Sequence, residues 1–264
     1  MVSGKKLPIS VVVLTFNEEA NIERCLASVV EAFDEVFVVD SYSRDRTKEV
    51  ALKFLPTNAF FEREFLSYSN QRNWAQTSLP ITNKWVLHLD ADESVDSKLG
   101  AELQRRFASE PEVDRFLVPV KVVFMGRFLR HGFLYPVYHN RLYRMGSGEC
   151  DSRKWDNHFI IRGRTARLQR GLDNVVSPDI TTWVMRHIKQ ASLVAQEVVE
   201  RRNGAVATVE VEPKFLGSPI QRRKWLRYRL YNRLPKFVRP VGFFIFRYVF
   251  CLGFLDGKEG FIYH

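Results

Sequence analysis

A chain of 264 residues with 45% apolar side chains can bury one substantial core plus an appendage, which excludes a disordered protein. Its three cysteines, Cys25, Cys150 and Cys251, form no Cys-x-x-Cys pair, which excludes a zinc ribbon and a disulfide framework and fits a reducing, cytoplasmic setting. The net charge of +10 is local: ten basic residues and no acidic one lie between Pro213 and Leu255.

The opening MVSGKKLP runs straight into a strand-like segment, so no signal peptide is expected. Ile9 to Leu14 is a β-branched apolar run of the kind buried in a parallel strand, and a polar loop, Thr15 to Glu19, follows it. Ile22, Leu26, Val29 and Val30 recur at helical spacing. Val36 to Val39 predicts a second strand ending at Asp40, and Asp45 is placed to N-cap a helix from Thr47. A third strand is expected near Ala59–Phe61, a third helix from about Phe65 to Thr77, and a strand from Trp85 to Leu89 that stops at Asp90. A helix carrying Leu99, Leu103 and Phe107 comes next, then strands at 116–124, 137–143 and 158–161, and a long helix over about 180–201.

The β-α-β-α alternation predicts an α/β fold, a mostly parallel sheet flanked by helices, in which ligands sit beyond the carboxyl ends of the strands. The polar clusters fall at those ends: Asn17 and Glu18, then Asp40, then Asp90 and Asp92. Two carboxylates spaced as in Asp90-Ala91-Asp92 can share a hard cation with phosphate oxygens, although an acidic turn can also merely cap the next helix. Asp40 has two readings as well. Either its loop is an ordinary strand-to-helix connection organised by Ser41, Ser43 and Asp45, or Asp40 accepts hydrogen bonds from a base or ribose.

Together, VVVLTFNEEANIERCLASV, VFVVDSYSRDRT and WVLHLDADE resemble the family 2 glycosyltransferases, inverting enzymes of the GT-A fold, over roughly residues 8–95. The resemblance is strongest to members of bacterial lipopolysaccharide-core and exopolysaccharide biosynthesis. It extends to SNQRNWA at 69–75 and to the tail segments LPKFVRP and GFLDGKEGF, and is weak over about 100–215. It implies that Thr15, Asn17 and Glu18 line a nucleotide pocket and that Asp40 contacts the base. It further implies Arg72 near the base or phosphates, Asp90 near the ribose or sugar, and Asp92 on Mg²⁺ or Mn²⁺. Arg72 could instead pair on the surface with Glu62 or Glu64.

An inverting transfer needs a carboxylate to take the acceptor hydroxyl's proton. KWDNHF at 154–159 resembles a family segment with Asp-Glu-His, so Asp156 is the expected base, with Trp155 and His158 in the acceptor region. Asn157 stands where relatives carry the glutamate, which leaves Glu149 or Asp151 as substitutes for the base. The alternative is that Trp155 and Asp156 only shape the acceptor wall. His187, on the long helix, and His88, alternating with apolar residues in a strand, are expected to be structural.

The implied activity is transfer of a sugar, from a donor expected to be a UDP-sugar, to a lipopolysaccharide-core or other lipid-linked glycan acceptor. The catalytic domain is expected over 1–205, with a nucleotide half to about 95 and an acceptor half over 96–205. Residues 206–264 form a basic, aromatic helical extension. Within it, Val241 to Leu255 is too short to span a bilayer, which needs roughly 20 residues. Trp225, Tyr228 and Tyr231 interleave with Arg222, Arg223, Arg227 and Arg229, a pattern suited to anionic lipid rather than nucleic acid. Either 213–255 lies on the inner face of the cell membrane, making the protein peripheral, or it folds as an amphipathic hairpin on the catalytic domain. Two rivals remain: a nucleotidyltransferase, disfavoured because TFNEEANIER has no glycine, and a membrane or nucleic-acid adaptor with a vestigial site.

Overall fold

The computed structural model describes residues 6–151, 158–177, 179–202, 212–217, 219–235 and 237–264. In chain order, β1 is Leu7–Thr15, α1 Ile22–Ala27, β2 Phe33–Asp40, α2 Thr47–Ala51, β3 Phe60–Glu62, α3 Tyr68–Ser78 and β4 Trp85–Asp90. There follow β5 Glu93–Ser94, α4 Ser97–Arg106, β6 Arg115–Phe124, β7 Arg127–Leu129, β8 Val137–Arg144, β9 Gly148–Cys150, β10 Phe159–Ile161, β11 Thr165–Arg167 and β12 Leu172–Ser177. The long α5 is Ile180–Arg202, and α6 Pro219–Arg229, α7 Val238–Ile245 and α8 Gly257–Tyr263 complete the chain.

The main sheet has the order β3-β2-β1-β4-β8-β6-β12-β5, with β7 and β11 paired to β6, while β9 and β10 form a separate hairpin. β1 is central and buried on both faces, which is why it reads as an unbroken apolar run. Parallel partners, β2 and β4, flank it. β8 then runs antiparallel to both β4 and β6, so the sheet turns from parallel to mixed just past the motif-bearing strands.

Register fixes where the polar residues fall. Thr15 lies opposite Asp40, Asp40 opposite Glu62, and Leu14 opposite Asp90. The strands therefore end along one rim, and the polar residues that terminate their apolar runs stand side by side there. Beneath the rim the core is continuous, with Trp85 edge-on to Phe107 and tilted against Phe116.

Two local details differ from the sequence reading. Arg46 rather than Asp45 precedes α2, yet Asp45 Oδ1 still accepts from the Thr47 backbone N–H at 3.0 Å, so it caps from one residue further back. α1 ends at Ala27, and Val29 is buried from the following turns rather than from the helix.

The C-terminal segment returns to the sheet. Asp256 accepts from the His131 backbone N–H at 2.8 Å and lies 2.7 Å from His131 Nδ1, and Arg247 Nε donates to Gly132 O at 2.9 Å. Ile262 and Tyr263 pack on the small cluster of Phe124, Leu129 and Leu134, together with Trp183 of α5. A Cβ on Gly260 would stand 2.6 Å from Gly253 O, so the glycines of GFLDGKEGF permit this close turn. Phe237, Val241 and Phe250 face outward at 93%, 60% and 75% exposure. Among the described residues no single helix is long and apolar enough to cross a membrane; the pair 238–250 and 253–263 passes that test jointly, bent by 74°.

Candidate nucleotide and metal site

The loop after β1 is fastened to the loop after β2. Asn17, at φ 54°, donates its backbone N–H to Ser43 Oγ at 2.8 Å, and its Oδ1 accepts from Arg44 N at 2.8 Å. Asparagine tolerates that left-handed conformation better than most residues. The Glu18 backbone N–H donates to Thr47 Oγ1 at 2.8 Å. Asp40 lies buried at the centre of this loop pair. Its Oδ1 accepts from the hydroxyls of Thr15 and Ser43 at 2.6 Å each, and its Oδ2 from the Ser43 backbone N–H at 2.7 Å. Thr15 and Asp40 thus organise the walls of the rim, while Phe16 and Tyr42 stay exposed beside it at 49% and 56%.

The acidic triplet separates into two environments. Asp90 is clamped by two arginines: Arg72 Nη2 donates to Oδ1 at 2.8 Å and Arg141 Nη2 to Oδ2 at 2.6 Å. Desolvation opposes its ionisation, but Arg141 and Arg72 hold its carboxyl far below the usual range. Arg141 also reaches Glu93 Oε1 at 3.0 Å, while Glu93 Oε2 accepts the Asp90 backbone N–H at 2.9 Å. Arg72 does not pair with Glu62 or Glu64 in the described contacts; Glu62 binds Lys48 at 2.6 Å instead.

Among the described residues Asp92 has no such clamp: the cation within reach is Arg186 of α5, whose Nη1 lies 3.7 Å from Oδ2, and Arg186 Nη2 also lies 3.4 Å from Glu18 Oε1. Burial, then the charges of Asp90, Glu93 and Glu18, push the Asp92 carboxyl well above the usual range, and Arg186 offsets this only in part. Glu18 is raised in the same way, by burial first, although Asn21 Nδ2 donates to its Oε2 at 2.7 Å. Asp90 and Glu93 are thus held by Arg141 at 2.6 Å and 3.0 Å, whereas the described cation contacts of Asp92 and Glu18 are the longer ones to Arg186, which leaves these two carboxylates as the oxygen donors available to a cation. That donor set fits Mg²⁺ or Mn²⁺, which take one or two protein carboxylates and leave their other positions to phosphate and water. Among the described residues no group of three or more His, Cys, Asp or Glu side chains makes a ready-formed metal cage.

The acceptor side is anchored to the same rim. Asn73 Oδ1 accepts from Cys150 N at 2.8 Å and its Nδ2 donates to Cys150 O at 3.2 Å, tying α3 to β9. Asp151 N donates to His158 O at 2.9 Å and His158 N to Asp151 Oδ1 at 3.1 Å. The Arg72 guanidinium lies 5.7 Å from the centre of the Phe159 ring. Asp151 and His158 are thus joined to each other, and the neighbouring Phe159 lies against Arg72. Trp155, Asp156 and Asn157 themselves lie outside the described residues. Of the substitutes for the base, Asp151 is buried with Lys224 Nζ 3.9 Å away, and Glu149 is exposed on β9. His158 is buried and tilted towards His139 at 5.9 Å, so its side chain belongs to the wall. His88 is buried, 3.0 Å from Tyr143 OH, and His187 Nδ1 lies 2.9 Å from Trp183 O.

Arg141, Glu93 and Arg186 were not singled out from sequence. Glu93 directly follows the triplet, and His139-Asn140-Arg141 sets three consecutive polar residues within a strand, a signal in plain view. Arg186 gave none, because one arginine on a mixed helix reads as solvated surface.

A mostly parallel sheet flanked by helices, with acidic residues at the carboxyl ends of its strands, has the architecture of the GT-A fold. The family model for Glycosyl transferase family 2 matches residues 10–176, more than half of the chain, and the chain belongs to that family. It is 38% identical over 120 residues to an uncharacterised glycosyltransferase of Rickettsia bellii (strain RML369-C), a match covering 45% of this chain and 39% of the relative. The chain thus spans about two fifths of the length of that relative. It is 26% identical over 202 residues to the lipopolysaccharide core biosynthesis glycosyltransferase LpsC of Rhizobium meliloti (strain 1021), covering 74% and 73% of the two chains. In fold it is similar to the mannosyltransferase PcManGT of Pyrobaculum calidifontis in complex with GDP-Man and Mn²⁺, with TM-score 0.52, 16% identity, and 91% and 74% of the two chains covered. It is also similar to S. aureus TarS 1-349 in complex with UDP, with TM-score 0.51, 19% identity, and 90% and 78% covered.

Proposed function

We propose that this chain is an inverting glycosyltransferase in which Asp92, with Glu18 beside it, holds Mg²⁺ or Mn²⁺ for a nucleotide-sugar donor. The observation that carries this reading is the contrast in charge at the rim. Asp90 and Glu93 are paired with Arg72 and Arg141, while among the described residues the cation contacts of Asp92 and Glu18 are the longer ones to Arg186. A bound divalent cation supplies the neutralisation that a departing diphosphate needs.

The chain's own residues have separable tasks. Asn17 and Glu18 position the loop against which the nucleotide lies, and Thr15 and Asp40 hold that loop in shape. Asp90, fixed by two guanidiniums, is a rigid acceptor for a ribose or sugar hydroxyl. Arg72 holds Asp90 in place from α3 and is the residue expected near the base or phosphates. As the acceptor oxygen bonds to the anomeric carbon and the bond to the diphosphate breaks, Asp156 takes the hydroxyl proton. What supports Asp156 is the resemblance of KWDNHF at 154–159 to the family's acidic segment.

A UDP-sugar donor and a lipopolysaccharide-core or lipid-linked acceptor complete the proposal, by likeness to the UDP-bound TarS and to LpsC. The lipid-linked acceptor agrees with a tail that combines ten basic residues with outward-facing Phe237, Val241 and Phe250, a surface suited to anionic lipid on the inner face of the cell membrane. The test is thermal stabilisation by UDP-, GDP- and dTDP-sugars with and without Mn²⁺, for the wild type and Asp92→Asn. Stabilisation by one donor class that requires both Mn²⁺ and Asp92 is the expected result. Stabilisation indifferent to Mn²⁺ and to Asp92 would remove the metal assignment.

A further inference from the structure

Arg186 reaches the rim from α5, an element to which neither the motifs nor the proposed chemistry gave a role. Its guanidinium donates to Val176 O at 3.0 Å and projects between the two carboxylates, 3.4 Å from Glu18 Oε1 and 3.7 Å from Asp92 Oδ2. These contacts differ in kind from the clamp on Asp90. There the distances are 2.6–2.8 Å and the arginine side chains are only 7–11% exposed. Arg186 is 35% exposed and its carboxylate contacts are long. An ion pair of that exposure is weak and exchangeable. A guanidinium also never gives up its proton, so its charge stands permanently at the spot where the oxygen donors converge.

We propose that Arg186 is an internal counterion that fills the cation's place in the resting rim and yields it when a divalent metal binds. The inference rests on the assignment of Asp92 and Glu18 to the metal. With Arg186 in place the rim is held together, and α5 and the end of β12 are tethered to the loop after β1. Metal entry then releases that tether. Arg186 is a positioning residue in this scheme: it sets how readily the rim accepts a cation.

The test is Mn²⁺ alone, titrated without nucleotide and followed by the electron paramagnetic resonance signal of free Mn²⁺ and by calorimetry. Arg186→Ala should bind Mn²⁺ about three- to tenfold more tightly than wild type, the range expected when two exchangeable ion pairs cease to compete. Arg186→Lys keeps the charge and should stay nearer to wild type. In the Asp92→Asn background, Arg186→Ala should change nothing. Unchanged or weaker Mn²⁺ binding by Arg186→Ala, in a wild type whose own binding depends on Asp92, overturns the counterion role alone. A wild type that binds no Mn²⁺, or binds it independently of Asp92, overturns the metal assignment and the counterion role with it. Thermal melts without Mn²⁺ establish that each variant is folded before it is titrated.

Discussion

Replacing Arg141 by methionine removes the guanidinium that serves Asp90 and Glu93 at once, at 2.6 Å and 3.0 Å. Asp90 keeps Arg72 and is partly open to water, so its loss is modest. Glu93 is the exposed cost of the change, because its side chain is 1% accessible and retains only the Asp90 backbone N–H as a described donor. Breaking a buried pair by removing one partner costs about 3–5 kcal/mol, which for a domain of this size is a fall in Tm of about 6–20 °C. Glu93 can relieve the penalty by binding a proton, since burial already raises its pKa with Arg141 in place. A folded pKa above the unfolded value means that stability is lost as pH rises through that interval. The deficit of Arg141→Met should therefore be larger at pH 8 than at pH 5.5, and adding Glu93→Gln should recover part of it and flatten the pH dependence. Urea unfolding at both pH values measures this, with Arg186→Met, a part-exposed arginine expected to lose no more than about 1 kcal/mol, as the reference. A loss below about 1 kcal/mol for Arg141→Met, equal at both pH values, would refute the clamp as a buried charge network.

Other consequences are open to direct measurement. His88 is buried and its pKa is held well below the ordinary value, by desolvation first and then by Arg72 and Arg141. A depressed histidine pKa means that the unfolded chain binds the extra proton first, so stability falls with pH below about 6.5. Between pH 7.5 and 5.5 the stability advantage of wild type over His88→Gln should shrink by about 1.4 kcal/mol in urea melts, and an unchanged advantage would contradict a neutral buried imidazole. Asp156→Asn should lower turnover by roughly 10²–10⁴ with donor affinity little changed; a smaller effect moves the base to Glu149 or Asp151. Vesicles containing anionic lipid should sediment the protein, and combined Arg222→Gln, Arg223→Gln and Arg227→Gln should weaken that binding by about 3 kcal/mol at low salt. Binding indifferent to these charges would assign the tail to the fold alone.

Much of the fold was legible because β1, β2 and β4 are buried on both faces and so announce themselves as short apolar runs ending in polar residues. Those strands end in register, with Thr15 opposite Asp40 and Leu14 opposite Asp90. Of the short strands, β3 and β10 were read from their apolar runs, but β5, of two residues, and β7, β9 and β11, of three each, were too short or too polar to give such a signal. β12 escaped because Leu172–Ser177 mixes polar and apolar residues without alternation. At the site, the acidic residues could be listed from sequence, but their division of labour could not. Only the fold brings Arg141, 51 residues from Asp90, and Arg186, far beyond it, to the same rim and decides which carboxylate is already neutralised. The tail was read by composition as a basic extension, and the contact of Asp256 with His131, across 125 residues, is invisible to that reading.

The central claim is that Asp92 is the carboxylate left free to hold a divalent cation. A crystal grown with Mn²⁺ and UDP, with data collected at the manganese absorption edge, tests it most directly. One anomalous peak within coordination distance of an Asp92 oxygen, about 2.0–2.3 Å, with phosphate oxygens completing the site, is the result expected. A manganese peak bound elsewhere while Arg186 still spans Asp92 and Glu18, or manganese at Asp90 with the arginine clamp broken, would contradict it.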